Sequence, residues 1–234
     1  MKEVLTFLIF WVAVTPAVQA QFDPANLIPE TLRYRMLSGS TEVGQSTVTI
    51  RHDSAAGMLH LVETISGLFE QTTTLSLRYD TTLQTLTSQT TLSRDSRQQQ
   101  ARLQYSDDGT RVTGEVQRPA EFGGQRAVDT ELEAGTVDSY AVPYLLRCAP
   151  LAVGTNLSLP LFNGLKNEKG LARAWVARIE PVTVPAGQFE CFRLEVYAGN
   201  TRLILNLATQ FPHRIIRQIF PALDVKLELA SISQ

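Results

Sequence analysis

The residues able to do chemistry are few. Three histidines, His52, His60 and His213, and two cysteines, Cys148 and Cys191, are the whole imidazole and thiol inventory of a 234-residue chain. Acids stand close to two of the bases, in His52-Asp53 and in His60-Leu61-Val62-Glu63. Neighbours on a strand point to opposite faces, so His52 and Asp53 would not share a site there. His52 and His60 fall on the two arms of one predicted hairpin, but a metal site needs a third ligand, and nothing in the spacing marks one. No metal is expected. The chain has no G-x-S-x-G elbow, phosphate-binding glycine loop, dinucleotide fingerprint or H-E-x-x-H pair. Asp107-Asp108-Gly109 lacks the further acidic ligands of a calcium loop and reads as a turn. A nucleophile, a base and an orienting group do not come together along the sequence. No catalytic residue is assigned, no cofactor is expected, and the chain reads as non-enzymatic.

Residues 1–20 read as a secretory signal peptide. Lys2 supplies the basic start, Val4 to Val14 are apolar apart from Thr6, Pro16 breaks the run, and Val18-Gln19-Ala20 is the small-residue pattern before a cut after Ala20. The apolar run is shorter than the ~20 residues a spanning helix needs, so the mature chain, 21–234, is expected to be a single β-rich periplasmic domain that does not span the membrane. Export into an oxidising compartment makes a disulfide between Cys148 and Cys191 the expected state of the pair. Two separate buried thiols are the alternative. A reactive thiol would want a C-x-x-C spacing or an adjacent histidine, and neither is present. The 21 basic and 23 acidic residues give a net charge of -2, which excludes the electrostatic footprint of a nucleic-acid binder. At 44% hydrophobic and 19% charged, the chain can build a core and is not a charge-rich disordered segment.

The elements that must position these residues are strands. Val48, Ile50 and His52 share a face by period two, as do Leu75, Leu77 and Tyr79, Phe192, Leu194 and Val196, and Val225, Leu227 and Leu229. Turn residues recur between them: Ser38-Gly39-Ser40, Asp53 to Gly57, Asp107-Asp108-Gly109 and Pro185-Ala186-Gly187. One short helix is predicted near 138–149, where Tyr140, Tyr144, Leu145 and Cys148 recur at helical spacing, with Asp138 or Ser139 as its cap and Pro143 in its first turn. The fold class is all-β. A dozen or so antiparallel strands cannot lie flat, because strand twist accumulates, so a highly curved sheet is expected, either a half-barrel or a closed barrel.

Tyr34-Arg35-Met36 to Gly39 with Val43-Gly44, Arg147-Cys148-Ala149-Pro150-Leu151 with Gly154, Val184-Pro185-Ala186-Gly187-Gln188-Phe189-Glu190-Cys191, and Phe211 to Arg217 running through Leu227-Glu228-Leu229 resemble stretches of an exported bacterial family, domain of unknown function 3108. The resemblance implies a β-rich periplasmic protein with a curved sheet akin to lipoprotein carriers, and no catalytic residues to carry over.

Two functions are weighed. In the first, the curved sheet binds a lipid or other apolar or amphipathic ligand, with Trp175, Phe192 and Tyr197 lining an apolar concavity. In the second, the chain is a structural or assembly protein of the envelope acting through contacts with another envelope protein. An outer-membrane barrel is disfavoured by an aromatic content of 8% and by a terminus, Ser231 to Gln234, without an aromatic residue.

Overall fold

A computed structural model describes residues 21–199 and 201–233; the leader and its cut after Ala20 lie outside them. These residues fold into fifteen strands of one sheet. A meander runs β1 (Glu30–Ser38), β2 (Thr41–Asp53), β3 (Met58–Ser66), β4 (Glu70–Arg78), β5 (Thr85–Arg94), β6 (Arg97–Tyr105), β7 (Arg111–Gln117) and β8 (Gln125–Glu131). After the two-residue β9 (Val137–Asp138) and the helix α1 (Val142–Arg147), a second meander runs β10 (Asn156–Asn163), β11 (Glu168–Val184), β12 (Gly187–Ala198), β13 (Thr201–Ala208), β14 (Ile215–Phe220) and β15 (Val225–Ser233). Antiparallel pairing of β1 with β15 joins the two meanders, so β8 and β9 become the outer strands.

Among the described residues the predicted all-β, highly curved sheet with one short helix is what forms, and it is open, with no ladder joining β8 to β9. Period-two alternation puts Leu32, Tyr34 and Met36 of β1, Leu59, Leu61 and Ile65 of β3, Leu75 and Leu77 of β4, and Leu227 and Leu229 of β15 on one buried face. That face curls around α1, where Val142, Tyr144, Leu145, Leu146 and Arg147 are all buried. A helix buried all round is enclosed by its neighbours, and α1 fills the inside of the curl. Pro143 sits in its first turn as expected. Asp138 does not cap it: the cap is Ala141, which makes no side-chain bond, while Asp138 belongs to β9 and accepts the Tyr140 amide at 2.8 Å.

The two ends of the sheet overlap. Phe162 alternates with Leu161 on β10 and so points out of the main core. It packs instead in a second cluster with Ala101, Leu103, Tyr105, Val112, Val116 and Val128 from the inner face of β6–β8. The inner face of one end thus covers the outer face of the other. Gly164 lets them approach: a Cβ there would stand 2.6 Å from Leu103 Cδ1. The β11–β12 hairpin is long enough to fold back over the sheet. Its tip donates from the Ala186 amide to Leu229 O at 3.1 Å, and Arg217 Nη2 donates to Thr183 O at 2.9 Å. Adjacent residues Ile215 and Ile216 of β14 are consequently both buried, one on each face.

This arrangement overturns the expected disulfide. Cys148 and Cys191 are both free and both buried. Cys148 caps α1 inside the curl, with its Sγ 3.5 Å from Tyr144 O. Cys191 shares the other face of β12 with Arg193 and Glu195. Both cysteines belong to the main buried cluster, yet they are not bonded to each other. Desolvation pushes both thiols up to about 12, so neither is poised as a nucleophile.

Candidate functional site

On the outer face of β10–β12, register places two rows of side chains side by side. One row is Asn156, Trp175 and Glu195; the next is Ser158, Arg173 and Tyr197. Trp175 and Tyr197 are diagonal neighbours across β11 and β12 and stack nearly parallel, with ring centroids 5.6 Å apart and planes at 11°. Such a stacked pair is worth about 0.5–1.5 kcal/mol beyond its buried area. The pair, with Leu171 and Arg173, walls an open groove of about 790 Å³. Both Leu171 and Tyr197 are exposed large hydrophobics.

The charges beside the groove are mostly spoken for. Glu195 accepts Arg193 Nη2 at 3.1 Å and Arg202 Nη2 at 2.9 Å. Glu180 is partly desolvated, but hydrogen bonds from Asn206, Arg178 and Arg193 outweigh that and hold its carboxyl below the usual range. Arg173 forms no ion pair among the described residues. It is a guanidinium with open donors next to a stacked aromatic pair.

The structure therefore brings Trp175 and Tyr197 together and separates Phe192 from them. Phe192 lies on the opposite face of β12, partly buried, with its ring edge-on to His213 at 6.1 Å. The other histidines also stand apart. His52 bonds Leu27 O through Nε2 and packs on Tyr79 at 4.5 Å, while His60 Nδ1 meets Ser76 Oγ at 3.0 Å. Among the described residues no three His, Cys, Asp or Glu side chains gather as a metal cluster.

Sequence reasoning missed a polar interior. Glu30 and Glu63 interrupt the apolar series Glu30-Leu32-Tyr34-Met36 and Leu59-Leu61-Glu63-Ile65, and that break in period two was the available signal. Glu30 is buried between two guanidiniums, with Arg147 Nη2 at 2.9 Å and Arg214 Nε at 2.6 Å. Arg147 also donates to Asn26 O at 2.9 Å. Glu63 accepts from Ser46 Oγ and Tyr144 OH, both at 3.1 Å, and Asp138 accepts from Tyr105 OH at 2.9 Å. These bonds tie α1 and β9 to the sheet wall.

Burial raises the carboxyls of Glu63 and Asp138 despite those hydrogen bonds. A carboxyl raised on folding binds its proton more tightly in the folded chain. Its favourable contribution is complete below the unfolded pKa of about 4.3 and fades as pH rises through the folded value. Glu63→Gln, neutral at every pH, is therefore expected to gain stability relative to the parent as pH rises from 4 to 8. Urea denaturation at a series of pH values checks this; a difference independent of pH would contradict it.

Compared with known proteins, the chain is matched over residues 33–220 by the model of a family described as "Protein of unknown function (DUF3108)". No curated protein shows a significant match to it. A solved structure from Bacteroides fragilis NCTC 9343, described as having a YmcC-like fold, aligns over 92% of this chain and 100% of its own at 12% identity, with a TM-score of 0.33. The family match spans the sheet from β1 to the end of β14 and includes the groove, the plug helix and the overlap, and on that match the chain belongs to the DUF3108 family.

Proposed function

We propose that the chain is an exported, periplasmic, non-catalytic protein that holds an amphipathic ligand such as a lipid against the outer face of β10–β12. The apolar part of the ligand lies along Leu171 and the Trp175–Tyr197 stack, and its acidic head meets Arg173. The observation that carries this reading is the stacked aromatic pair beside a guanidinium without an acidic partner, in an open groove. Few convergent polar groups on an apolar wall are the usual composition of a small-molecule site. The inside of the curl is taken up by α1, which moves the ligand from the concave face to the outside. Export rests on the leader pattern of residues 1–20.

Once those residues are removed, Trp175 is the single tryptophan, since the other is Trp11. Its fluorescence reports the groove directly. Laurate titrated below its micelle concentration is expected to give a saturable change. Arg173→Gln and Tyr197→Ala should each weaken the interaction about ten-fold, the loss of one charge-assisted hydrogen bond or one stacking wall. A flat titration, or equal binding by both variants, removes the groove as the site.

A second reading, an envelope assembly protein, draws on the unpaired edge of β8. A strand of another protein could add there. Arg126, Asp129 and Glu131 lie along that strand, and charged side chains are how natural edges resist pairing, so the groove is the stronger reading. Crosslinking from β8 in intact cells separates the two.

A further inference from the structure

A second cleft, of about 450 Å³, opens where the β5–β6 and β7–β8 hairpins meet. We propose that it is a binding site for a small oxyanion, a carboxylate or a phosphate, with Arg118 as its main recognition residue.

Arg118 carries the inference. It follows β7 directly, and its backbone amide is fixed to Gly124 O at 3.1 Å. Its guanidinium makes no hydrogen bond or ion pair among the described residues, and of its nitrogens only Nε is sealed from solvent. The terminal nitrogens are then donors without an acceptor in the protein, at the wall of the cleft, where an oxyanion oxygen can reach them. The nearby acids do not supply an acceptor. Glu121 is engaged by Arg97 Nε at 3.5 Å, and Asp95 by Arg94 at 3.4 Å. On the same end of the sheet, Arg102 pairs with Glu115 at 3.3 Å and Arg111 with Asp129 at 2.7 Å. Arg118 departs from that pattern.

The walls suit an anion. Arg97 is held in place by the Phe122 ring, 5.5 Å from its guanidinium carbon, as well as by Glu121. Two guanidiniums against one carboxylate leave the cleft with an excess positive charge. Gln100 and Gln117 face each other across β6 and β7, with Gln98 beside them, so side-chain amides line the floor. Gln100 is oriented by its bond to Thr91 Oγ1 at 3.3 Å. Guanidinium plus amide donors recognise oxyanion oxygens, the guanidinium by charge-assisted and often bidentate bonds.

The probes are inorganic phosphate and malonate, with malonamide as malonate's neutral counterpart, each followed by amide chemical-shift changes at low ionic strength. The expected result is a saturable shift at Arg118, Gln117 and Gln98 with one or both anions and none with malonamide. Tighter malonate than phosphate identifies carboxylate chemistry, and the reverse identifies phosphate. Arg118→Gln is expected to weaken binding ten-fold or more. Gln117→Leu, at an exposed position that leaves the fold alone, should weaken it a few-fold. Arg111→Gln, outside the cleft, should leave it unchanged. Malonamide binding as well as malonate, absence of shifts with both anions, or undiminished binding by Arg118→Gln in a folded variant would each overturn the proposal.

Discussion

Replacing Glu30 by alanine is expected to destabilise the protein by about 3–5 kcal/mol, the cost of breaking a buried ion pair from one side. The glutamate side chain is fully buried and pairs with two guanidiniums at once, Arg147 from α1 and Arg214 from the segment before β14. Its loss leaves Arg147, also fully buried, with only carbonyl acceptors at Asn26 and Pro212. Two nitrogens of that guanidinium, Nε and Nη1, already lack partners. For a domain of this size, 1 kcal/mol corresponds to a melting shift of about 2–4 °C, so the variant should melt roughly 6–20 °C lower. Urea denaturation checks it. The exposed pair Arg111–Asp129 is the comparison, because surface pairs contribute about 0–1 kcal/mol. A loss below 1 kcal/mol for Glu30→Ala would show that the triad does not hold α1 in place. Replacing Glu30, Arg147 and Arg214 together by apolar residues of similar size should cost much less than Glu30→Ala alone, because no uncompensated charge remains.

The second large effect is expected at the overlap of the sheet ends. Phe162→Ala should cost about 3–5 kcal/mol, the range for truncating a buried aromatic side chain. Phe162 is fully buried and is the β10 side chain around which the β6–β8 cluster closes. Hydrogen bonds between the outermost strands do not secure this seam. Side-chain packing does, supported by Tyr105 OH to Asp138 and by the Asp138 amide to Thr85 Oγ1 at 3.4 Å. The variant should therefore open locally before it unfolds. Amide exchange is expected to rise in β6–β10 and to stay slow in β1–β3, where each strand is laddered to a neighbour on both sides. Uniform acceleration in all strands would mean that the sheet has no weak seam.

Much of the architecture was legible along the chain because a strand writes its two faces into alternate residues. The Val48-Ile50-His52 series, Leu75 with Leu77, the turn at Asp107-Asp108-Gly109 and the opposed faces of β12 stand where alternation placed them, while Tyr79 falls just past the end of β4 and is exposed. One hairpin was missed. Asp95 and Ser96, between β5 and β6, both adopt positive φ, at 50° and 65°, as a tight two-residue turn demands, but Asp-Ser lacks the glycine that usually announces it. The helix was found but its start was misplaced by its most polar residue. Asp138 looked like a cap and is instead a buried acceptor for the Tyr140 amide and the Tyr105 hydroxyl.

The candidate site was legible only in part. Trp175 and Tyr197 lie on strands whose faces can be read, yet their meeting depends on the register of β11 against β12, which places Trp175 opposite Glu195 and Tyr197 opposite Arg173. Phe192 is one residue out of step with Tyr197 in the alternation and so falls on the other face.

Sequence alone determined most strand faces, the one short helix among the described residues, the family and the absence of a catalytic motif, because each is encoded in near neighbours. Tertiary structure decided what lies against those faces. Two cysteines that export suggested as partners remain free, one buried at the end of α1 and the other buried on β12. A sheet of fifteen strands curls by accumulated twist until its ends overlap and the space inside is filled by α1. How far it curls depends on packing between residues remote in the chain, such as Phe162 against Leu103 and Glu30 against Arg147, and no local period records those pairs.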